Sequence, residues 1–172
     1  MNNGQVFEAF NLAALWNLPV LYIIENNKYG MGTAVDRAAA GSDLYKRGEA
    51  FGIKGEIVDG MNVYSVIKAA EKAGEYVRSG KGPYILEVKT YRYRGHSMSD
   101  PAKYRTKAEL EEYKSSDPIA IVREEIIKKK VASKNELEKL DTEIIEEIKS
   151  AANFALESQF PNKEELYTDV YL

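Results

Sequence analysis

Two stretches carry residue types that could do chemistry. The first runs Glu25-Asn26-Asn27-Lys28-Tyr29-Gly30-Met31-Gly32 and follows a short apolar run from Pro19 to Ile24. Asparagine side chains and free backbone carbonyls are hard oxygen donors, which Mg²⁺ or Ca²⁺ accept beside phosphate oxygens. Taken alone, the same residues read more readily as a plain strand-to-loop turn held by Asx hydrogen bonds, which needs no ligand. The second stretch, Thr90 to Pro101, holds the only histidine, His96, and opens a cluster of cations at Arg92, Arg94, Lys103 and Arg105. Arginine forks suit phosphate and carboxylate groups. His96 by itself reads more readily as a solvated or structurally hydrogen-bonded loop histidine than as a functional one.

The bulk numbers narrow the field. The 172 residues are enough for one domain with its own core. Twenty-four Lys and Arg against 27 Asp and Glu leave a net charge of −3, so no global basic field recruits nucleic acid or an anionic membrane. Tyr91 and Tyr93 could stack single-stranded bases between the arginines, but the patch is short and the whole chain acidic. Cysteine is absent, which excludes disulfides and thiolate metal sites, and one histidine excludes a multi-His zinc centre. No apolar stretch reaches transmembrane length. Met1-Asn2-Asn3-Gly4 has the character neither of a charged signal start nor of an amphipathic transit segment. The expected location is the cytoplasm, or an organelle matrix after processing.

The elements that must position these residues can be read in order. Gln5 to Leu18 is expected as a helix, nearly apolar all round and therefore buried, with Phe7, Phe10, Ala14 and Leu18 on one face. Pro19 to Ile24 has the β-branched content of a fully buried parallel strand. A turn-rich segment to about Ser42 follows, then a short helix from Asp43 to Phe51 stopped near Gly52. Ile53 to Val58 reads as a second strand. Asn62 caps an amphipathic helix marked by Val63, Val66, Ile67, Ala70, Ala73, Gly74 and Val77 and closed by Gly80. Pro83 to Lys89 is a third, apolar strand. This alternation predicts an α/β fold, a parallel sheet with flanking helices. A parallel arrangement would bring both candidate stretches to one sheet edge, where such folds bind ligands. Residues 1–89 are expected as the sheet portion, 90–105 as the candidate active-site loop and 106–172 as a helical C-terminal region, all within one α/β domain. In that last region Thr106-x-x-Glu109 and Ser133-x-x-Glu136 are capping-box patterns and Asp117-Pro118 a helix start. The final helix carries an apolar stripe of Leu137, Leu140, Ile144, Ile148, Ala151 and Ala155. The tail, with Leu166, Tyr167, Val170, Tyr171 and Leu172, is expected to dock on this or another subunit.

Four motifs together resemble one family: Asn2-x-Gly-Gln-x-x-Glu-Ala, Leu15-Trp-x-Leu-Pro19, the run from Glu25 to Thr33, and Thr90-Tyr-Arg-Tyr-Arg-Gly-His-Ser-Met-Ser-Asp-Pro101. They are similar to the α subunits of the pyruvate dehydrogenase E1 component, and the resemblance covers practically the whole chain. Branched-chain 2-oxo acid and acetoin dehydrogenase α subunits are close relatives, and the form of the second long motif resembles the pyruvate enzyme more. The resemblance implies a thiamine-diphosphate-binding fold, with thiamine diphosphate and Mg²⁺ as cofactors. It implies a β subunit as partner in an α2β2 assembly, and the lipoyl domain of the E2 acetyltransferase as the acceptor. By position, Asn27 would bind Mg²⁺ through its side chain and Tyr29 through its carbonyl, with Gly30 beside the cofactor. His96 would be the active-site histidine, which also contacts the cofactor, Arg92 a cofactor-facing loop arginine, and Ser97 the phosphorylated serine of mitochondrial members.

The departures from the pattern are as informative. Two further phosphorylated serines of mammalian members are unmatched, at Ala34 and in the Ala102-Lys103-Tyr104 run, which favours a bacterial-type enzyme without kinase control. The family's Gly-Asp-Gly, whose aspartate is a charged metal ligand, should stand shortly before Asn2 and does not occur. The glutamate that activates the cofactor ring belongs to the β subunit. The chain is thus expected to be a C-terminal portion of an E1 α subunit, inactive alone. The alternative is a non-catalytic interaction module that retains the subunit surface.

Overall fold

The computed structural model describes residues 1–170. It divides into two compact units, Met1–Ile121 and Val122–Leu172. The first is an α/β unit. Helix α1 (Gly4–Leu15) is capped by Asn3, whose side chain accepts the Gln5 N–H. Strand β1 (Leu21–Asn26) leads into a small hairpin of β2 (Tyr29–Gly30) and β3 (Thr33–Ala34), and then into the single turn α2 (Val35–Ala38). A 3₁₀ segment, Leu44–Phe51, ends at Gly52 in the left-handed region at φ 72°. Strand β4 (Lys54–Asp59), helix α3 (Val63–Arg78) and strand β5 (Tyr84–Lys89) complete the sheet, and helix α4 (Lys107–Lys114) follows the loop.

The sheet order is β1-β5-β4, and both pairings are parallel. The last strand in sequence therefore fills the centre. Alternation along β5 splits the core in two. Ile85 packs with Phe10, Ile24, Leu44 and Ile53 on the side of α1 and the 3₁₀ segment. Tyr84 and Leu86 pack with Ala73 and Val77 of α3 on the other side. Asn26, Lys89 and Asp59 are level in register, so the three loops that follow them leave one edge of the sheet.

Several expectations need correction. Helix α1 is not buried all round: only Phe10 and Ala13 are, while Leu15 and Trp16 are 70 % and 63 % exposed. One face is all that the core beneath it can cover. The first strand is not fully buried either. It begins two residues later than expected and lies at the sheet edge, with β5 on one side only and Ile23 63 % exposed. Helix α3 buries Ala73, Gly74 and Val77, but Val63 and Ile67 near its start stay largely exposed.

Helix α5 (Pro118–Lys128) starts at the Asp117 cap, whose Oδ1 accepts the Ile119 and Ala120 N–H groups. In the second unit Arg123 Nη2 donates to both oxygens of Asp141, at 2.8 and 2.7 Å. Helix α6 (Lys134–Glu157) opens on a complete capping box between Ser133 and Glu136. Its apolar residues Leu140, Ile144 and Ile148 are exposed. Of the tail, Leu166, Tyr167 and Val170 are exposed, and Tyr171 and Leu172 lie outside the described residues. No described helix is long and apolar enough to cross a membrane.

Candidate functional site

The asparagine turn begins inside the strand that carries it. Asn26 is the last residue of β1, 8 % exposed, and its main chain is locked to the next strand by the Thr90 N–H, which donates to Asn26 O at 3.0 Å. Its side chain works in both directions. Nδ2 donates to Glu87 Oε1 at 2.7 Å, and Oδ1 accepts the Lys28 N–H at 3.2 Å. Asn27 repeats the Asx turn one residue on, its Oδ1 accepting the Tyr29 N–H at 3.3 Å. Lys28 takes φ 70°, an uncommon backbone for a side-chain-bearing residue, and its carbonyl accepts the Val35 N–H at 2.8 Å. The hairpin is thus fastened at its base before any ligand is considered.

Asn27, Tyr29 and Gly30 line one cavity of about 360 Å³, walled by Asn2, Ile23, Ile24, Thr33, Val35 and Ala39 among others. It opens at the carboxyl end of β1, where ligands enter open parallel sheets. The donor set fits a hard cation in kind: an amide oxygen and main-chain carbonyls, with Glu25 the one carboxylate among the lining residues. No cluster of three or more His, Cys, Asp or Glu capable of holding a metal occurs among the described residues.

The loop from Thr90 is fixed at its two feet. Arg105 donates from Nη1 to Arg92 O and from Nη2 to Tyr93 O, closing the returning chain onto the outgoing one. Its guanidinium lies 5.4 Å from the ring centre of Tyr91 and 6.0 Å from that of Tyr29. Both of these tyrosines donate their hydroxyls to Glu109 Oε1, at 2.9 and 3.0 Å. Burial, then the Glu109 carboxylate, pushes the Tyr29 phenol up to about 12. Tyr91 is buried and stacked on Tyr113 with ring centres 4.0 Å apart, so it offers no face to a nucleic-acid base. Arg92 braces the hairpin, donating from Nη2 to Met31 O at 2.5 Å and to the Tyr104 hydroxyl at 2.8 Å. Its Nε is buried without a partner among the described residues.

The tip of the loop is different. His96, Ser97, Met98 and Ser99 are all exposed. Asp100 gathers what lies beneath them: Oδ2 accepts the His96 N–H and the Tyr104 hydroxyl, each at 2.7 Å, and Oδ1 accepts the Ala102 N–H at 2.8 Å. These bonds, the two backbone N–H donors foremost, hold its carboxyl at about 2. The His96 imidazole has no hydrogen-bond partner among the described residues, and Ser97 Oγ lies 3.1 Å from Ser99 Oγ.

The structure therefore brings Asn27, Tyr29 and Gly30 to one cavity and links Arg92 to their hairpin. His96 and Ser97 are not among the cavity's lining residues. Three contributors escaped the sequence reading. Glu87 was hidden in an apolar strand, although its place two residues after Ile85 assigns it to the inner face. Glu109 stands in a capping-box pattern, and Thr106 does accept the Glu109 N–H, but the carboxylate turns to the tyrosines. Asp100 stood in a quoted motif without a role.

Comparison with known proteins supplies an independent line. The model of a family described as dehydrogenase E1 component matches residues 1–164. The pyruvate dehydrogenase E1 component subunit alpha of Rickettsia felis is 55% identical over 171 residues, 99% of this chain and 52% of that protein. That of Rhizobium meliloti is 54% identical over 99% of this chain and 49% of its own length. The mitochondrial somatic form of Bos taurus is 51% identical over 99% of this chain and 44% of its own length. The chain thus spans about half the length of the curated relatives it matches.

Proposed function

The chain belongs to the dehydrogenase E1 component family, and from that premise we propose that it forms part of a pyruvate dehydrogenase E1 α subunit. Assembled with β subunits, as α2β2, such a subunit takes part in oxidative decarboxylation of pyruvate and reductive acetylation of lipoamide on the lipoyl domain of the E2 component. The observation that carries the reading is the convergence of Asn27, Tyr29 and Gly30 on one cavity at the carboxyl edge of the parallel sheet. The names and the 51–55% identity of the relatives support the substrate.

Within that reading the residues have distinct tasks. Asn27 and Tyr29 would hold Mg²⁺, the first through its side-chain oxygen and the second through its carbonyl, and Gly30 keeps the hairpin wall low. A Cβ built on Gly30 would meet nothing within 4 Å, so the lining stays open there. Two neutral oxygens bind Mg²⁺ weakly by themselves, so the full site draws charged ligands from other parts of the assembly. Thiamine diphosphate, when bound, supplies the electron sink that decarboxylation requires, and the protein supplies binding and orientation. Arg92 fixes the hairpin that carries the metal oxygens. His96 presents an imidazole on a solvent-facing ribbon, suited to exchanging a proton with the reacting groups or the arriving lipoamide. Phosphorylation at Ser97 would add a dianion beside His96 and disturb the loop tip.

The test is Asn27→Ala in an α subunit completed with the rest of its polypeptide and joined to β subunits. The Mg²⁺ concentration for half-maximal pyruvate decarboxylation should rise by roughly a hundredfold or more. An unchanged Mg²⁺ requirement would remove this turn from the metal site.

A further inference from the structure

Glu87 stands in the central strand, 0 % exposed, and no step of the proposed chemistry touches it. A carboxylate at such a place is costly unless both oxygens are satisfied. Here they are, by donors on two different elements. Asn26 Nδ2 reaches Oε1 at 2.7 Å from β1, and Tyr45 N reaches Oε2 at 3.0 Å from the 3₁₀ segment. That segment can lie so close to β5 because residue 48 is glycine. A Cβ there would stand 2.4 Å from Ile85 Cδ1. The arrangement requires an acceptor at each end. A glutamine amide has one acceptor and two donors, so either orientation sets a donor against a donor.

The consequence reaches the cavity through Asn26. An asparagine amide is nearly symmetric in shape, and the choice between its two orientations is made by hydrogen bonds alone. With Nδ2 claimed by Glu87, Oδ1 faces the turn and accepts the Lys28 N–H at 3.2 Å. Lys28 is the residue held at φ 70°, between Asn27 and Tyr29. We infer that Glu87 is a positioning residue: by fixing the orientation of the Asn26 amide it sets the turn that carries Asn27 and Tyr29 at the cavity. The inference rests on the metal reading of that turn for its function, but its geometric half stands by itself.

Four variants test it: E87Q, N26D, the double variant E87Q/N26D, and N27A. The double variant moves the carboxylate from 87 to 26 and leaves every hydrogen bond satisfiable. The amide at 87 accepts from Tyr45 N and donates to position 26, where the carboxylate still accepts from Lys28 N. N26D alone sets two acceptors against each other. In the 172-residue chain, amide exchange at Lys28 and Tyr29, referred to Ala73 and Val77 in α3, should quicken about tenfold in E87Q, the factor one lost hydrogen bond is worth, and less in N26D, which keeps an acceptor for the Lys28 N–H. The double variant should restore it. In the assembled enzyme, E87Q should raise the half-saturating Mg²⁺ concentration about tenfold to a hundredfold, with kcat recovered at saturating Mg²⁺, and the double variant should again restore it. Should E87Q unfold the chain, the double variant decides alone, since a refolded chain with slow exchange at Lys28 supports the role. Exchange at Lys28 and Tyr29 that is unmoved by E87Q, or that the double variant fails to restore, overturns the inference. A Mg²⁺ requirement that moves in N27A but not in E87Q overturns it while leaving the metal reading intact; one that N27A leaves unmoved overturns the metal reading itself.

Discussion

The asparagine turn and the histidine loop leave the same sheet edge from adjacent strands, yet they are held by opposite means. The turn is organised from below. Asn26 and Glu87 are buried in the sheet, and the hairpin inherits its shape from them. The loop is organised at its feet by Arg105 and the tyrosines on Glu109, while its tip from His96 to Ser99 stands in solvent. A site that must hold an ion benefits from the first arrangement, because preset oxygens need no reordering on binding. A group that must meet a mobile partner benefits from the second.

This comparison breaks most visibly if the shared floor is removed. Ile85 is 0 % exposed and packs between Phe10, Ile24, Leu44 and Ile53. Ile85→Ala should cost about 2–5 kcal/mol in denaturant unfolding, the range for a buried aliphatic truncated to alanine. The strand that carries the turn is paired to β5 along its length, so exchange protection at Lys28 and Tyr29 should fall with global stability. Retained protection there in the destabilised variant would show that the hairpin is held locally and not by the sheet.

A smaller effect separates the loop from the turn. Three donors converge on Asp100, two on one oxygen and one on the other, and an asparagine amide cannot accept from both sides. Asp100→Asn should therefore speed exchange at the His96 and Ala102 amides and leave Lys28 and Tyr29 unchanged. Acid should do the same to the unaltered chain. The folded carboxyl is depressed from 3.8 to about 2, so its contribution to the loop is fully present above the unfolded value and is lost as pH falls through the folded one. Amide exchange at His96 followed between pH 5 and 2, relative to intrinsic rates, checks this. A loss centred above about 4 would mean that another group controls the tip.

What was legible in the sequence follows the same division. The parallel sheet could be read because three short apolar runs alternate with helical spacing, and the caps at Asn62, Asp117 and Ser133 because capping is local chemistry. Burial was misjudged where it depends on neighbours. Apolar content around α1 and along β1 does not say how many sides have something to pack on, and Leu15, Trp16 and Ile23 face outward. The asparagines and the histidine were found as motif residues. The carboxylates of Glu87 and Glu109 are not legible in this way, since they act through contacts 61 and 80 residues away in sequence. No spacing rule marks such pairs, although a lone acid on the inner face of a central strand is a signal that period-two reading can recover.

The smallest structural effect is expected at the residue with the largest proposed role. The His96 side chain is exposed and bonded to nothing among the described residues, and the loop uses its backbone N–H, which any residue supplies. His96→Ala should therefore change unfolding free energy by less than about 0.5 kcal/mol, as for surface sites without special contacts, and leave exchange at Ala102 intact. In the assembled enzyme the same variant should lower lipoamide acetylation by roughly a hundredfold or more, the scale of a lost acid–base group, at an unchanged Mg²⁺ requirement. The two readouts must come apart. A variant as active as the parent would remove the imidazole from the reaction, and a Mg²⁺ requirement that rose with it would show that loop and turn act as one unit, erasing the distinction between a site preset by the sheet and a group carried on a solvent-facing ribbon.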